Sequence, residues 1–167
     1  MSDVAKSKEL LKRYSIARIP FIAVNTIERE RTLDILKEIA EELALPFYVH
    51  TLSKGLYDLT TEKVINDDKS VYGAIDFMSE QMKRKQYMTL ILTEVPDLSG
   101  DNSDSKQILD LVTLANESGG VVIVLTNHAI WNQLQRLGMV IKIDLPNEDE
   151  MYAIIKEYID DYRTEIP

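Results

Sequence analysis

The feature that most constrains this chain is an alternation. Short, mostly apolar runs are each followed by a stretch in which apolar residues recur every three or four positions. The runs "PFIAV" (20–24), "PFYVHTL" (46–52), "YMTLILT" (87–93), "VVIVLT" (121–126) and "MVIKIDL" (139–145) have strand length and are rich in β-branched and aromatic residues. Continuous apolar runs of this kind suit strands buried on both faces, as in a parallel sheet covered by helices on each side. Between them, Leu33, Leu36, Ala40 and Leu43 within 28–44, and Val71, Ala74, Met78 and Met82 within 70–85, follow the helical period. A first helix over 3–17 carries Val4, Leu11 and Tyr14 on one face, and Pro20 suits the first position of a strand. The expected fold is α/β in three layers: a five-stranded, mostly parallel sheet with helices on both faces.

The connections are informative. "SKGLYDLTTEKVINDDK" (53–69) is too long for an ordinary link and reads as a functional or mobile segment. Asp104 and Gln107 form a capping box for a helix through Asn116, and Gly119-Gly120 ends it. A short helical piece lies around Trp131 and Leu134. Asn147 and Glu150 cap a last helix striped by Met151, Ile154, Ile155, Tyr158 and Tyr162. No repeat, linker or low-complexity tract interrupts 1–167, so one domain is expected, with residues 1–19 as an amino-terminal helix and no lid domain.

The turn after the first strand decides much of the chemistry. A phosphate-binding loop there needs glycines, so that several backbone N–H groups can point at an anion, and a lysine to add charge. Residues 25–31 read "NTIERER", with neither. Asn25 and Glu28 have the spacing of a capping box, in which a helix satisfies its own first N–H groups. Glu28 and Glu30 stand where the dipole favours carboxylates and where a phosphate would be repelled. Arg29 and Arg31 project at other angles with nothing to fix them. The expectation is a capped and closed turn.

Composition excludes further classes. At 167 residues and 45% apolar, the chain is large enough for a substantial core. No cysteine is present, which rules out disulfides, thiolate nucleophiles and cysteine-held zinc. No apolar stretch nears the roughly 20 residues of a membrane span. The charged amino terminus is not a secretory signal, so a cytoplasmic location is expected. A formal charge of −9 disfavours nucleic-acid partners. That charge is uneven: residues 1–20 sum to 5 − 2 = +3, and residues from Asp144 onward to 2 − 8 = −6. Opposite ends could steer head-to-tail association, although two solvated helix faces are the blander and preferred account.

With these segments in order, the chain resembles an AAA-type ATPase core, a P-loop NTPase-like fold without its phosphate loop. "YMTLILTEVPDL" sits where that family has the Walker B strand, and "VVIVLTNH" resembles its sensor strand. "VIKIDLPNEDEMYAIIKEYI" resembles the strand, proline and acidic-capped helix that precede a helical lid. "IARIPFIAVNTIERERTLDILKEIAEELALPFYVHTLSKGL" is similar to the amino-terminal, degenerate domain of a bacterial and plastid family of AAA ATPases, whose second domain keeps intact nucleotide motifs. The resemblance runs from about Ile16 to Pro167. It implies vestigial nucleotide-site positions at Asn25, Thr26, Glu94 and Asn127. Thr93 matches the metal-binding Asp of Walker B, Glu94 the catalytic carboxylate and Asn127 the sensor, while Arg136 is a weak match to an arginine finger. It also implies an aromatic pore-type loop at Gly55, Leu56 and Tyr57, for which a tyrosine packed against the domain is the preferred alternative.

Other constellations are weaker. Asn25, His50, Glu94, Asn127 and His128 should gather at the strand carboxyl ends, the usual crevice of open α/β sheets. His50, Glu94 and His128 lack the spacing of a metal motif and read as polar groups satisfied by loop backbone. Only Glu94 and Asp97 are near enough for a phosphate-receiving switch, which needs more. "DLSGDNSDS" (97–105) lacks the calcium-loop pattern and reads as a solvated connection. Trp131 and the Met78/Met82 pair suit core or docking faces, and no G-x-S-x-G elbow occurs. The expectation is therefore a non-catalytic module with no cofactor and no metal. Its partner is another protein or an AAA ATPase domain, or a second copy in a homo-oligomer. Neither nucleic acid nor membrane is expected. ATP with magnesium belongs only to the alternative, a divergent nucleotide-binding domain whose site a neighbouring subunit completes. A small-molecule enzyme finds no convergent acid, base and nucleophile.

Overall fold

The computed structural model describes residues 3–143 and 148–165. The central strand is the first, β1 (Phe21–Asn25), buried along its length because its neighbours lie on both sides and helices cover both faces. It pairs in parallel with β6 (Val121–Thr126) and with β7 (Gly138–Lys142). β6 continues to β5 (Thr89–Leu92), and β5 to β2 (Tyr48–Thr51), again in parallel. Side chains alternate across this sheet. Ile22 and Val24 enter a core with Leu11, Ile35, Leu36 and Ile39, under α1 (Asp3–Ile16) and α2 (Arg29–Leu43). Phe21 and Ala23 enter the opposite core with Met78, Met82, Ile108 and Leu111, under α3 (Val71–Arg84) and α4 (Ser103–Ser118). Met78 and Met82 are thus core residues.

The sheet has seven strands, not five. The segment expected to be a long connection folds into β3 (Gly55–Asp58) and β4 (Val64–Asn66), which pair antiparallel with β2 and with each other. The order is β4-β3-β2-β5-β6-β1-β7, so the sheet is mixed. Strands of three and four residues are too short to show a period of two in the sequence. They are held by the ladder and by Asp58 Oδ1, which accepts from the N–H groups of Thr60 and Thr61 at 2.9 and 3.1 Å. Gly55 opens β3 at φ 82, where a Cβ would lie 2.6 Å from the Asn66 carbonyl oxygen. Only glycine fits there.

Helix ends follow local chemistry, with one displacement. α4 is capped by Asn102, whose side chain accepts from Ser105 N–H at 2.8 Å, rather than by an Asp104/Gln107 box. It ends at Gly119 in the left-handed region, as its glycine pair predicts. α2 ends at Ala44, also left-handed, and Leu45 N–H returns to the Ala40 carbonyl at 3.2 Å. α5 (Asn132–Gln135) is a single turn before β7, and α6 (Glu148–Glu165) is the last element. The side chains of α6 from Met151 to Tyr162 are all exposed. The Asn147/Glu150 box lies outside the described residues. Among the described residues, no helix is long and apolar enough to cross a membrane.

Candidate functional site

β1, β5 and β6 end side by side, and the loops leaving them enclose a cleft of about 280 Å³ lined by Thr26, Arg29, Thr93, Glu94, Asn127 and His128, among others. Parallel strands bring these loops to one end of the sheet, and this end is where α/β sheets place ligands. Five of the residues expected at this crevice were Asn25, His50, Glu94, Asn127 and His128. Glu94, Asn127 and His128 line it together with Thr26. Asn25 and His50 do not.

Asn25 is the last residue of β1, in register with Thr126 and Lys142, and its carbonyl accepts from Ile143 N–H at 2.9 Å. The expected Asn25/Glu28 capping box is not formed. Glu28 is itself the residue before α2, and no side chain caps the helix from that position. Thr26 takes part of the role. Its Oγ1 accepts from Glu28 N–H at 3.0 Å, and its own N–H bonds the Thr126 carbonyl at 3.0 Å. Thr32, fully buried one turn on, places its hydroxyl 3.0 Å from Thr26 Oγ1 and 2.9 Å from the Glu28 carbonyl. A threonine bonding back four residues is a common helical habit, so the sequence offers no sign that Thr32 also braces this turn.

The arginines of "NTIERER" are held, contrary to expectation. Arg29 forms an ion pair with Glu94 across the cleft. Arg31 lies 3.5 Å from Glu28. Both arginines of the first turn of α2 are therefore paired with carboxylates, Arg29 with Glu94 beyond the end of β5 and Arg31 with Glu28 at the start of its own helix. No spacing rule anticipates the Arg29–Glu94 contact, because the two residues belong to different strand–helix units. Beyond the cleft, residues Ile27 to Arg31 border a wider open depression of about 1010 Å³, shared with Met151 and Ile154 of α6.

Thr93 is buried, and its hydroxyl donates to the His50 carbonyl at 2.8 Å. Thr93 thus lines the cleft with its hydroxyl proton already committed to β2. His50 is fully buried on the far side of that bond. Its Nε2 lies 3.0 Å from the Asp68 carbonyl, and its Nδ1 has no hydrogen-bond partner. Among the described residues, no three His, Asp or Glu side chains converge as a metal set. The 97–105 connection is organised by local bonds. Asp97 Oδ1 accepts from the hydroxyl of Ser99 at 2.5 Å and from its N–H at 2.9 Å, and these bonds hold the Asp97 carboxyl below its ordinary range.

Gly55, Leu56 and Tyr57 are not an exposed loop. They form the buried strand β3, with Tyr57 only 7% exposed and Lys54 Nζ 4.9 Å from its ring centroid. Burial also raises the Tyr57 phenol above its usual pKa. Its packing repeats the alternation of the sheet: Leu56 faces the α3/α4 core and Tyr57 the α1/α2 core. Trp131 precedes α5 and packs at the rim of the α3/α4 core, its backbone N–H donating to the Leu98 carbonyl at 2.7 Å. Arg136 caps the same helix turn and is not among the cleft residues.

No curated protein and no solved structure matches the chain. A family model does, over residues 7–143, which runs from within α1 through the end of β7 and hence takes in the whole sheet and its cleft. The parallel βα units, the ligand-side cleft and this match agree, and the chain belongs to the family described as the N-terminal domain of SpoVK-like AAA ATPases.

Proposed function

We propose that this chain is a non-catalytic AAA-like domain, acting as an assembly, regulatory or protein-interaction module beside an active ATPase domain. The observation that carries the reading is the Arg29–Glu94 ion pair spanning the cleft. A triphosphate needs an unopposed positive pole at the start of α2, and a hydrolytic carboxylate needs a water and a metal-bound phosphoryl group. In this cleft the cation and the carboxylate neutralise each other. Residues 25–31 supply neither glycine nor lysine, and Glu28 and Glu30 add negative charge. Magnesium prefers carboxylate oxygens, whereas Thr93 presents a hydroxyl already donated to the His50 carbonyl. The residues present are thus a poor fit for magnesium and a triphosphate.

One observation favours a second reading. α2 begins without a side-chain cap at Glu28, and its first turn borders the open depression. A neighbouring subunit that placed a lysine there could complete a divergent nucleotide site. Calorimetric and thermal-unfolding titrations with ATP, with and without magnesium, separate the two. A ligand at about 100 times its Kd stabilises the native state by about 2.7 kcal/mol. The isolated chain is expected to show no shift. A magnesium-dependent rise in Tm for the isolated chain refutes the silent-site reading, and a rise only in a reconstituted assembly supports the second.

A further inference from the structure

Two exposed surfaces lie at opposite ends of the sheet. The first is α6, which follows the carboxyl end of β7. Met151, Ile154, Ile155, Tyr158, Ile159 and Tyr162 repeat at helical spacing and are all exposed, Tyr158 to 72%. An apolar stripe of this breadth is the mark of a helix that covers something. Glu157 and Asp160 stand on the same helix, and the chain from Asp144 onward sums to 2 − 8 = −6.

The second surface is the corner "KRKQY" (83–87), where α3 ends and β5 begins at the amino end of the sheet. All five residues are exposed, beside a groove of about 420 Å³ bordered by Met82 and Leu114. Lys83 has only an exposed pairing with Glu80, one helical turn back, and no ion pair among the described residues holds Arg84 or Lys85. Tyr87 is held at φ 63, a region bulky residues rarely enter. Its N–H is tied to the Ser118 carbonyl at 3.0 Å, and Arg18 lies 6.0 Å from its ring centroid. An aromatic fixed in a sparsely populated conformation yet left 63% exposed is the sort of outlier that accompanies a contact surface.

We propose that α6 of one copy docks on the 83–87 corner of a second copy, joining molecules head to tail through a heterologous interface. Charge selects this occupant. Pairing α6 with α6 would oppose two helices of 2 − 7 = −5, whereas the corner presents Lys83, Arg84 and Lys85 against Glu80 and Glu117, a net positive surface. Six side chains contributing roughly 100 Å² each give roughly 600 Å² per copy, or about 1,200 Å² in all, at the lower end of specific interfaces. The association is therefore weak and salt-sensitive. Because the two patches differ, it continues past two copies unless the rotation closes a ring. This deepens the assembly arm of the proposed function. It does not depend on a silent cleft, which the nucleotide titration tests by itself.

The test is sedimentation velocity on the full chain from about 1 to 200 μM, at low salt and at about 0.5 M salt. The wild type is expected to grow beyond a dimer with concentration and to revert toward monomer in salt. Tyr158→Glu and Lys85→Glu are each expected to be monomeric, with unchanged circular dichroism because both positions are exposed. Mixed together, they retain one complete interface between them and should form a one-to-one dimer that grows no further. Arg84→Glu replaces Lys85→Glu if the latter fails to fold. A wild type that stays monomeric throughout overturns the proposal. So does a Lys85→Glu protein that assembles like the wild type, or a mixture that remains monomeric.

Discussion

Replacing Arg29 by alanine, Glu94 by alanine and then both measures the coupling between the start of α2 and the end of β5. Two unit charges about 4 Å apart attract by about 4 kcal/mol at an effective dielectric constant near 20, and by about 1 kcal/mol in bulk water. The Arg29 and Glu94 side chains remain 46% and 38% exposed, which puts the pair near the watery limit. The expected coupling in urea unfolding at low salt is therefore about 0.5–1 kcal/mol. At about 1 M salt the Debye length shrinks to about 3 Å, and less than half of the coupling should survive. The same variants bear on function. Breaking the bridge with Arg29→Ala supplies neither a lysine nor a metal carboxylate, so ATP with magnesium should still leave Tm unmoved. Zero coupling at low salt refutes the ion pair. A salt-insensitive coupling above about 2 kcal/mol refutes the solvent-screened account of it. Nucleotide binding gained by Arg29→Ala would show that the bridge alone keeps the cleft silent.

Three further outcomes are expected. Tyr57→Ala should cost about 3–4 kcal/mol in chemical denaturation, because the ring is nearly buried; a cost under about 0.5 kcal/mol would restore the exposed-loop reading. Gly138→Ala puts a Cβ 1.7 Å from the Phe21 carbonyl oxygen in the β1–β7 ladder and should destabilise by about 3 kcal/mol or more, while Gly100→Ala, with nothing within 4 Å, should stay within about 0.5 kcal/mol. The Ser99 bonds hold Asp97 below its ordinary pKa, so their small contribution is present above the unfolded carboxylate pKa and is lost as pH falls through the folded one. In an NMR titration Ser99→Ala should move the Asp97 midpoint upward; an unmoved midpoint would deny Ser99 that role.

Most of the fold was legible because its information is local. Each of the five parallel strands is an apolar run, and α2 and α3 announce themselves by stripes. Of Leu33, Leu36, Ala40 and Leu43 the middle two are buried and the outer two pack against the core, and Ala74, Met78 and Met82 are all buried. Strands β3 and β4 were not legible. With three or four residues each they carry no period, and their pairing depends on β2 being already in place. The caps were misplaced for a related reason. Asn, Ser, Thr and Asp can all cap, so Asp104 looked as suitable as Asn102, which acts. Asn25 looked like a cap for a helix that has none, Thr26 accepting from the Glu28 N–H just before it.

The same division runs through the cleft. From the order of residues alone follow the α/β class, the gathering of Glu94, Asn127 and His128 at the strand ends, and a first turn with no glycine or lysine. These are matters of period, chain direction and composition. Tertiary structure alone tied the Thr93 hydroxyl to the His50 carbonyl, kept the His50 ring out of the cleft, and buried Gly55, Leu56 and Tyr57 within the sheet. It also joined Arg29 to Glu94. Each of these depends on which strands become neighbours, and a side chain's partner across a sheet is set by that packing rather than by anything adjacent to it in the chain.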